Sequence, residues 1–322
     1  VIGDVSGSTI TYGSEYVFNS DETIHISVDT LSSNKFVVGY ANYWDGKWGG
    51  FAIIGDVSGN TVSYGASSLV FNPGGTFDLD LAALSSNKFL VVFRDDDNYD
   101  YGTAIIGFVS GNTISYGQYP SSEFVFSAEV TENTRVATLS STKFIVVYER
   151  DNKYGAARIG NVFGYDITFG PEYIFNTGST EYLSVDALSP KKFVVSYEDA
   201  SYNEYGTTRI GDISGDSLVF GSENLFYLDD TDYSYTVALS GTKFVVTYAH
   251  WDGSAYNGTA LIGNIPPDYN LVGIAKESKT AGQAVPVIVG GVSDVHSGLT
   301  AGTIYYGDNS GSLSTDETEY EI

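Results

Sequence analysis

Cysteine is absent from the 322-residue chain, so neither a disulfide framework nor a thiolate metal site can form, and the redox compartment stays open. Histidine occurs three times, at His25, His250 and His296, too few and too dispersed for a histidine metal centre. Basic residues are scarce: 15 Lys and Arg stand against 40 Asp and Glu, a formal net charge of -25. A surface of that sign repels phosphate backbones and anionic lipid, and no basic patch offsets it, so nucleic acid is not an expected partner. No apolar run reaches the roughly 18 residues of a membrane span, and no basic segment leading into an apolar stretch opens the chain, so membrane insertion is not expected. Nor does any stretch carry a helical period long enough to compete with strand signals.

What is present is a repeat of about 52 residues. Ile-Gly recurs with its glycine at Gly3, Gly55, Gly107, Gly160, Gly211 and Gly263. Lys-Phe recurs in step at Lys35-Phe36, Lys88-Phe89, Lys143-Phe144, Lys192-Phe193 and Lys243-Phe244. An aromatic-Gly pair marks each copy as well, as at Tyr12-Gly13 and Phe169-Gly170. Each copy divides into four short apolar runs, A to D, separated by turn residues; in the second they are Thr76 to Ala83, Lys88 to Arg94, Thr103 to Val109, and Thr113 to Tyr116 extended through Phe126. The expected fold is all-β: a β-propeller of four-stranded antiparallel blades over residues 1–265, five blades favoured and more if upstream sequence is missing, with an open superhelical stack as the alternative. The chain opens in mid-repeat at Val1, as a processed or partly represented polypeptide would. After Ile265 the markers stop at Pro266-Pro267, and residues 266–322 read as a small β-rich module for attachment or oligomerisation through other structural subunits.

The stretches LSSNKFVVGYANYW, LSSTKFIVVYERDNKYGAARIGNV and ITYGSEYVFN resemble the repeats of virion or tail-associated proteins of marine bacteriophages and related bacterial surface proteins. The closing SGLTAGTIYYGDNSGSLST resembles the β module that follows such repeats, although here the chain stops at Ile322, short of the usual further strand. The resemblance supplies no catalytic residues. It implies a noncatalytic structural or adhesive protein of a virion or cell surface, extracellular in setting.

The B-to-C and D-to-A connections vary while the A-to-B and C-to-D turns are compact, so variation is expected on one face. That face carries the ligand-binding candidates Trp44, Trp48, Asp95, Asp97, Tyr99, Tyr101, Tyr154, Tyr202, Tyr205, Trp251, Asp252 and Tyr256. Flat rings with hydrated edges beside Asp and Asn suit a glycan or a host-surface receptor; the same rings could instead pin loops onto neighbouring strands. No catalytic residue and no cofactor is assigned. Asp95-Asp96-Asp97 with Asp100 is oxygen-rich enough for calcium but lacks the EF-hand spacing, and a solvated loop is the plainer reading. His25, between Ile24 and Ile26, reads as a strand position. The alternative function is a carbohydrate-active enzyme using acidic rim residues, weakened by the absence of the sialidase motif Ser-x-Asp-x-Gly-x-Thr-Trp.

Overall fold

The computed structural model describes residues 1–265 apart from 67, 118–122 and 202, together with the strand segments 273–275, 287–289, 306–307 and 313–314. The chain divides into two compact units, Val1–Gly263 and Asn264–Ile322. In the second, Gly273–Ala275 pairs antiparallel with Val287–Val289, and Tyr306–Gly307 with Leu313–Ser314. His296 lies outside the described residues. No described helix is long and apolar enough to cross a membrane.

In the first unit the described elements are strands apart from one 3-10 turn, Asp96–Asn98. Repeat 1 supplies A (Thr23–Ser32), B (Lys35–Trp44) and C (Lys47–Ser58), followed by a D strand broken into Thr61–Tyr64 and Leu69–Asn72, both pieces pairing with C. Repeat 4 repeats this pattern with A at Thr180–Ser189, B at Lys192–Asp199 and C at Tyr205–Ser214. Repeat 5 has A (Asp232–Ser240), B (Lys243–Trp251) and C (Tyr256–Asn264) in a three-stranded sheet.

Repeats 2 and 3 depart from this plan. The 17-residue strand Phe124–Ser140 pairs at its start with the C strand of repeat 2 (Tyr101–Ser110) and at its end with the B strand of repeat 3 (Lys143–Arg150). It therefore serves as the D end of one repeat and the A strand of the next, and fuses the two into one nine-stranded sheet. The expected propeller of four-stranded blades is corrected accordingly: the architecture is all-β with several separate antiparallel sheets of five, nine, five and three strands, one of them curled, together with the two-stranded hairpin Gly3–Ser6 with Thr9–Tyr12.

One contact explains why two of the repeat markers travel together. The Phe of Lys-Phe sits across the B–C ladder from the Gly of Ile-Gly, as in Phe36 opposite Gly55 and Phe144 opposite Gly160. Its ring lies flat on that glycine, where an added Cβ would meet ring carbon at 2.2 Å in the first case and 2.0 Å in the second. A side chain there would displace the ring, fully buried at Phe144 and half-buried at Phe36, and a fully buried one is worth about 1.5–3 kcal/mol of apolar burial. The B strands run through the core: Phe89, Leu90, Val91, Val92 and Phe93 are all buried.

The A strands of successive repeats are joined by side chains rather than by a backbone ladder. Asp29 Oδ2 accepts the Ala83 amide at 2.8 Å, Asp80 Oδ2 the Val136 amide at 3.0 Å, and Asp186 Oδ2 the Ala238 amide at 2.7 Å. Each A strand also bulges at the same place, shown by register shifts at Ile24/Ser27, Phe77/Asp80, Glu132/Arg135, Glu181/Ser184 and Asp232/Tyr235. A non-glycine residue holds left-handed backbone at every bulge: His25, Asp78, Asn133, Tyr182 and Tyr233, with φ of 47–52°. His25, Asp78, Tyr182 and Tyr233 among them line a common cavity of about 420 Å³.

Candidate active site

A cleft of about 720 Å³ opens where the B–C hairpin of repeat 1 meets the loops of repeat 2, lined by Trp44, Lys47, Asn72, Asp95, Asp97 and Glu123 among others. Trp44 and Lys47 flank the tight turn Asp45-Gly46, whose left-handed backbone (φ 50° and 82°) closes a two-residue hairpin. The turn is so short that Trp44 is a strand residue with about half its surface free, edge-on to Phe51 at 6.1 Å.

Across the cleft, Asn72 folds the chain through Pro73 and Gly74. Its Oδ1 accepts the Gly74 amide at 2.9 Å and its Nδ2 donates to Thr76 Oγ1 at 3.1 Å. Its amide also lies 3.4 Å from Asp95 Oδ1. Asp95 is buried, which raises its pKa, and it accepts the backbone amides of Asp97 and Asn98 that start the 3-10 turn. Asp97 is ion-paired to Lys47 at 2.5 Å.

Glu123 completes the set. Burial, reinforced by the negative charge of Asp95, pushes its carboxyl up to about 7, and its Oε1 is buried without a hydrogen-bond partner. A carboxyl in that range is protonated in a large fraction of molecules at neutral pH, as a general acid must be. The cleft thus holds a carboxyl raised to about 7, a buried carboxyl, an ion-paired carboxylate and an aromatic face.

Of the residues expected from sequence, Trp44, Asp95 and Asp97 meet in this cleft. Trp48 lies behind it, packed edge-on to Tyr43 at 5.3 Å. Tyr99 and Tyr101 pack on each other at 5.6 Å, and Trp251 and Tyr256 at 5.2 Å, the latter pair exposed on repeat 5. Tyr154 precedes the C strand of repeat 3 and Tyr205 opens that of repeat 4; neither lines the cleft. Tyr202 lies outside the described residues.

Asp252 closes its own turn. Its Oδ1 accepts the Ser254 and Ala255 amides at 2.8 and 2.9 Å and its Oδ2 accepts Asn257 Nδ2 at 2.7 Å, which hold the carboxyl far below the usual carboxylate range. The turn weighed for calcium is tied instead by Asn72 and Lys47.

A further concave site lies between the A strands, and its chemistry is largely committed to the fold. Asp80 is raised by burial, yet its oxygens already accept Ser27 Oγ at 2.8 Å, the Leu81 amide at 2.9 Å and the Val136 amide at 3.0 Å. His25 is lowered mainly by burial, with Arg94 and Arg135 acting in the same direction against Asp78, and its ring packs edge-on to Phe77 at 5.9 Å.

No family model matches the chain, and no curated protein matches its sequence. Solved structures superpose on parts of it. A protein of unknown function from Dyadobacter fermentans superposes with a TM-score of 0.57 at 13% identity, covering 81% of this chain and 82% of its own. The NanB sialidase of Streptococcus pneumoniae gives 0.48 at 14% identity, covering 77% of this chain and 42% of the sialidase. The catalytic domain of a GH62 α-L-arabinofuranosidase from Coprinopsis cinerea gives 0.47 at 8% identity, covering 79% and 94%.

The expectation of a noncatalytic structural or adhesive virion protein is corrected at this point. The sialidase and the arabinofuranosidase superpose too loosely to lend this chain a fold or a role. The cleft itself holds what acid catalysis needs: a carboxyl poised near neutrality beside a second carboxyl and an open tryptophan face.

Proposed function

We propose that the chain is a carbohydrate-active hydrolase working in the Trp44–Asp95–Glu123 cleft. The observation that carries this reading is Glu123, held near pH 7 by burial and by Asp95 while facing a cleft large enough for a sugar unit. Glu123 donates its proton to the departing glycosidic oxygen. Asp95 supplies the negative charge that balances the developing oxocarbenium ion, which water then captures as its proton returns to the Glu123 carboxylate. The Trp44 ring offers an apolar platform for a sugar face, and Lys47 and Asn72 offer donors to its hydroxyls. A polymeric glycan substrate fits an extracellular or cell-surface setting. Unit Asn264–Ile322, small for an independent core, then acts as an attachment or oligomerisation module.

The test is release of reducing ends from a panel of polysaccharides and aryl glycosides. Glu123→Gln is expected to lose about 10²–10⁴-fold on unactivated substrates. It should lose far less on a 2,4-dinitrophenyl glycoside, whose leaving group needs no proton. No turnover of any substrate by the wild type, or equal turnover by Glu123→Gln on unactivated glycosides, contradicts the reading.

A further inference from the structure

The B and C strands place one residue pair at the same spot beside each A-strand bulge. One member is the B residue facing a glycine near the start of C, at Gly102 in repeat 2, Gly155 in repeat 3 and Gly206 in repeat 4. The other stands two places before that glycine. In these three repeats the pair reads Arg94 with Asp100, Glu149 with Lys153, and Glu198 with Glu204. The second members share left-handed backbone, with φ of 59°, 68° and 61°, so the equivalence is geometric as well as sequential.

Repeats 2 and 3 fill the spot with opposite charges in reversed polarity. Arg94 Nε lies 3.7 Å from Asp100 Oδ1, and Lys153 Nζ lies 2.8 Å from Glu149 Oε1. Repeat 4 fills it with two carboxylates. Glu198 is only 4% exposed, and its Oε2 makes no hydrogen bond. Glu198, Asp230 and Asp232 each bring one carboxylate oxygen within 4.8 Å of the others. The charges acting most on Glu198 are Glu181, Asp230, Asp232 and Glu204, all negative. Among the described residues no Lys or Arg is ion-paired to any of them.

A buried carboxylate beside like charges is costly unless something positive stands there. We propose that Glu198, Asp230 and Asp232 bind a divalent cation, Ca²⁺, which takes the electrostatic place that Lys153 fills in repeat 3. The donors are oxygen only, with no thiolate or imidazole among them, which selects a hard ion over zinc or copper. Asp230 and Asp232 are half-buried and leave room for water, which suits the six to eight irregular ligands of Ca²⁺ better than the strict octahedron of Mg²⁺. Tyr182 and Tyr256 lie close enough to Asp232 for its charge to raise their hydroxyl pKa values. The ion would clamp the B strand of repeat 4, through Glu198, to the chain passing from repeat 4 into repeat 5, through Asp230 and Asp232.

The experiment titrates the chelator-treated full chain with CaCl₂, reading thermal unfolding and binding heat together. Ca²⁺ should raise the unfolding midpoint of the wild type, and Glu198→Gln should weaken binding by at least about tenfold. Asp232→Asn should weaken it similarly and carries the test if Glu198→Gln does not fold. Glu204→Lys should raise the midpoint without any ion and abolish the response, because it rebuilds the repeat 3 pair. Asp95→Asn should respond as the wild type does. The proposal is overturned by a wild type that ignores Ca²⁺, by a response that survives both Glu198→Gln and Asp232→Asn, or by one lost only in Asp95→Asn. A Mg²⁺ response equal to that of Ca²⁺ overturns the choice of ion.

Discussion

Repeats 3 and 4 bury a glutamate at the same place on the same backbone and treat it in opposite ways. Glu149 is 1% exposed in its side chain, with Lys153 at 2.8 Å and Asn133 Nδ2 donating to it at 2.7 Å. Glu198 has neither partner and is pushed up to about 8, chiefly by burial and then by four surrounding carboxylates. Packing and register are shared, so the difference lies in a few side chains, Lys153 against Glu204 and Asn133 against Tyr182. A repeat scaffold can therefore keep its core and change the chemistry at one rim position, since the rim residues are not those that bury the apolar faces.

The largest expected effect comes from removing the cation of repeat 3. Lys153→Ala strands a buried carboxylate and should destabilise by about 2 kcal/mol, below the usual cost of breaking a buried pair because Lys153 is half exposed. Urea denaturation measures it, and a loss under about 0.5 kcal/mol would break the comparison.

Glu198→Gln should go the other way in chelator, stabilising by about 1 kcal/mol at pH 9. The sign follows from the raised pKa: stability from the protonated carboxyl is complete below the ordinary carboxylate pKa and is lost as pH rises through about 8. Near pH 4 the variant and the wild type should therefore coincide, and a gain of equal size at both pH values would point to packing instead.

Smallest is Asp100→Asn in repeat 2. Arg94 keeps Asp78 at 3.4 Å and Glu132 at 3.7 Å, so the change should cost under about 0.5 kcal/mol. A loss as large as that of Lys153→Ala would show that the repeat 2 pair is not redundant.

Much of the scaffold is legible in the sequence because single contacts generate its markers. Lys-Phe and Ile-Gly recur in step since one Phe ring occupies the space above one glycine, as at Phe36 and Gly55. The fusion of repeats 2 and 3 leaves only a faint sign: Ser127-Ala128-Glu129-Val130 stands where other junctions carry turn residues, as in Asn72-Pro73-Gly74-Gly75 and Asn176-Thr177-Gly178-Ser179.

At the site, Trp44, Asp95 and Asp97 stand out as aromatic and acid in one kind of connection. Glu123 does not, since it falls inside the D run just before Phe124 and gains its character only from burial beside Asp95. The residues at the bulges did leave a signal: two places after Thr23, Thr76, Thr131, Thr180 and Thr231 the chain reads His, Asp, Asn, Tyr and Tyr in an otherwise regular register. Variation at a fixed offset marks these positions, and His25, a strand residue as expected, adds left-handed backbone that its neighbours Ile24 and Ile26 do not share.

The pH dependence of kcat/KM on an unactivated glycoside tests the central claim most directly. Glu123 must be protonated to act, so the rate should fall along an alkaline limb centred near 7, and that limb should vanish in the residual activity of Glu123→Gln. A wild-type profile that stays flat or rises from pH 6 to 9, or an alkaline limb retained in Glu123→Gln, would contradict the assignment of Glu123 as the acid.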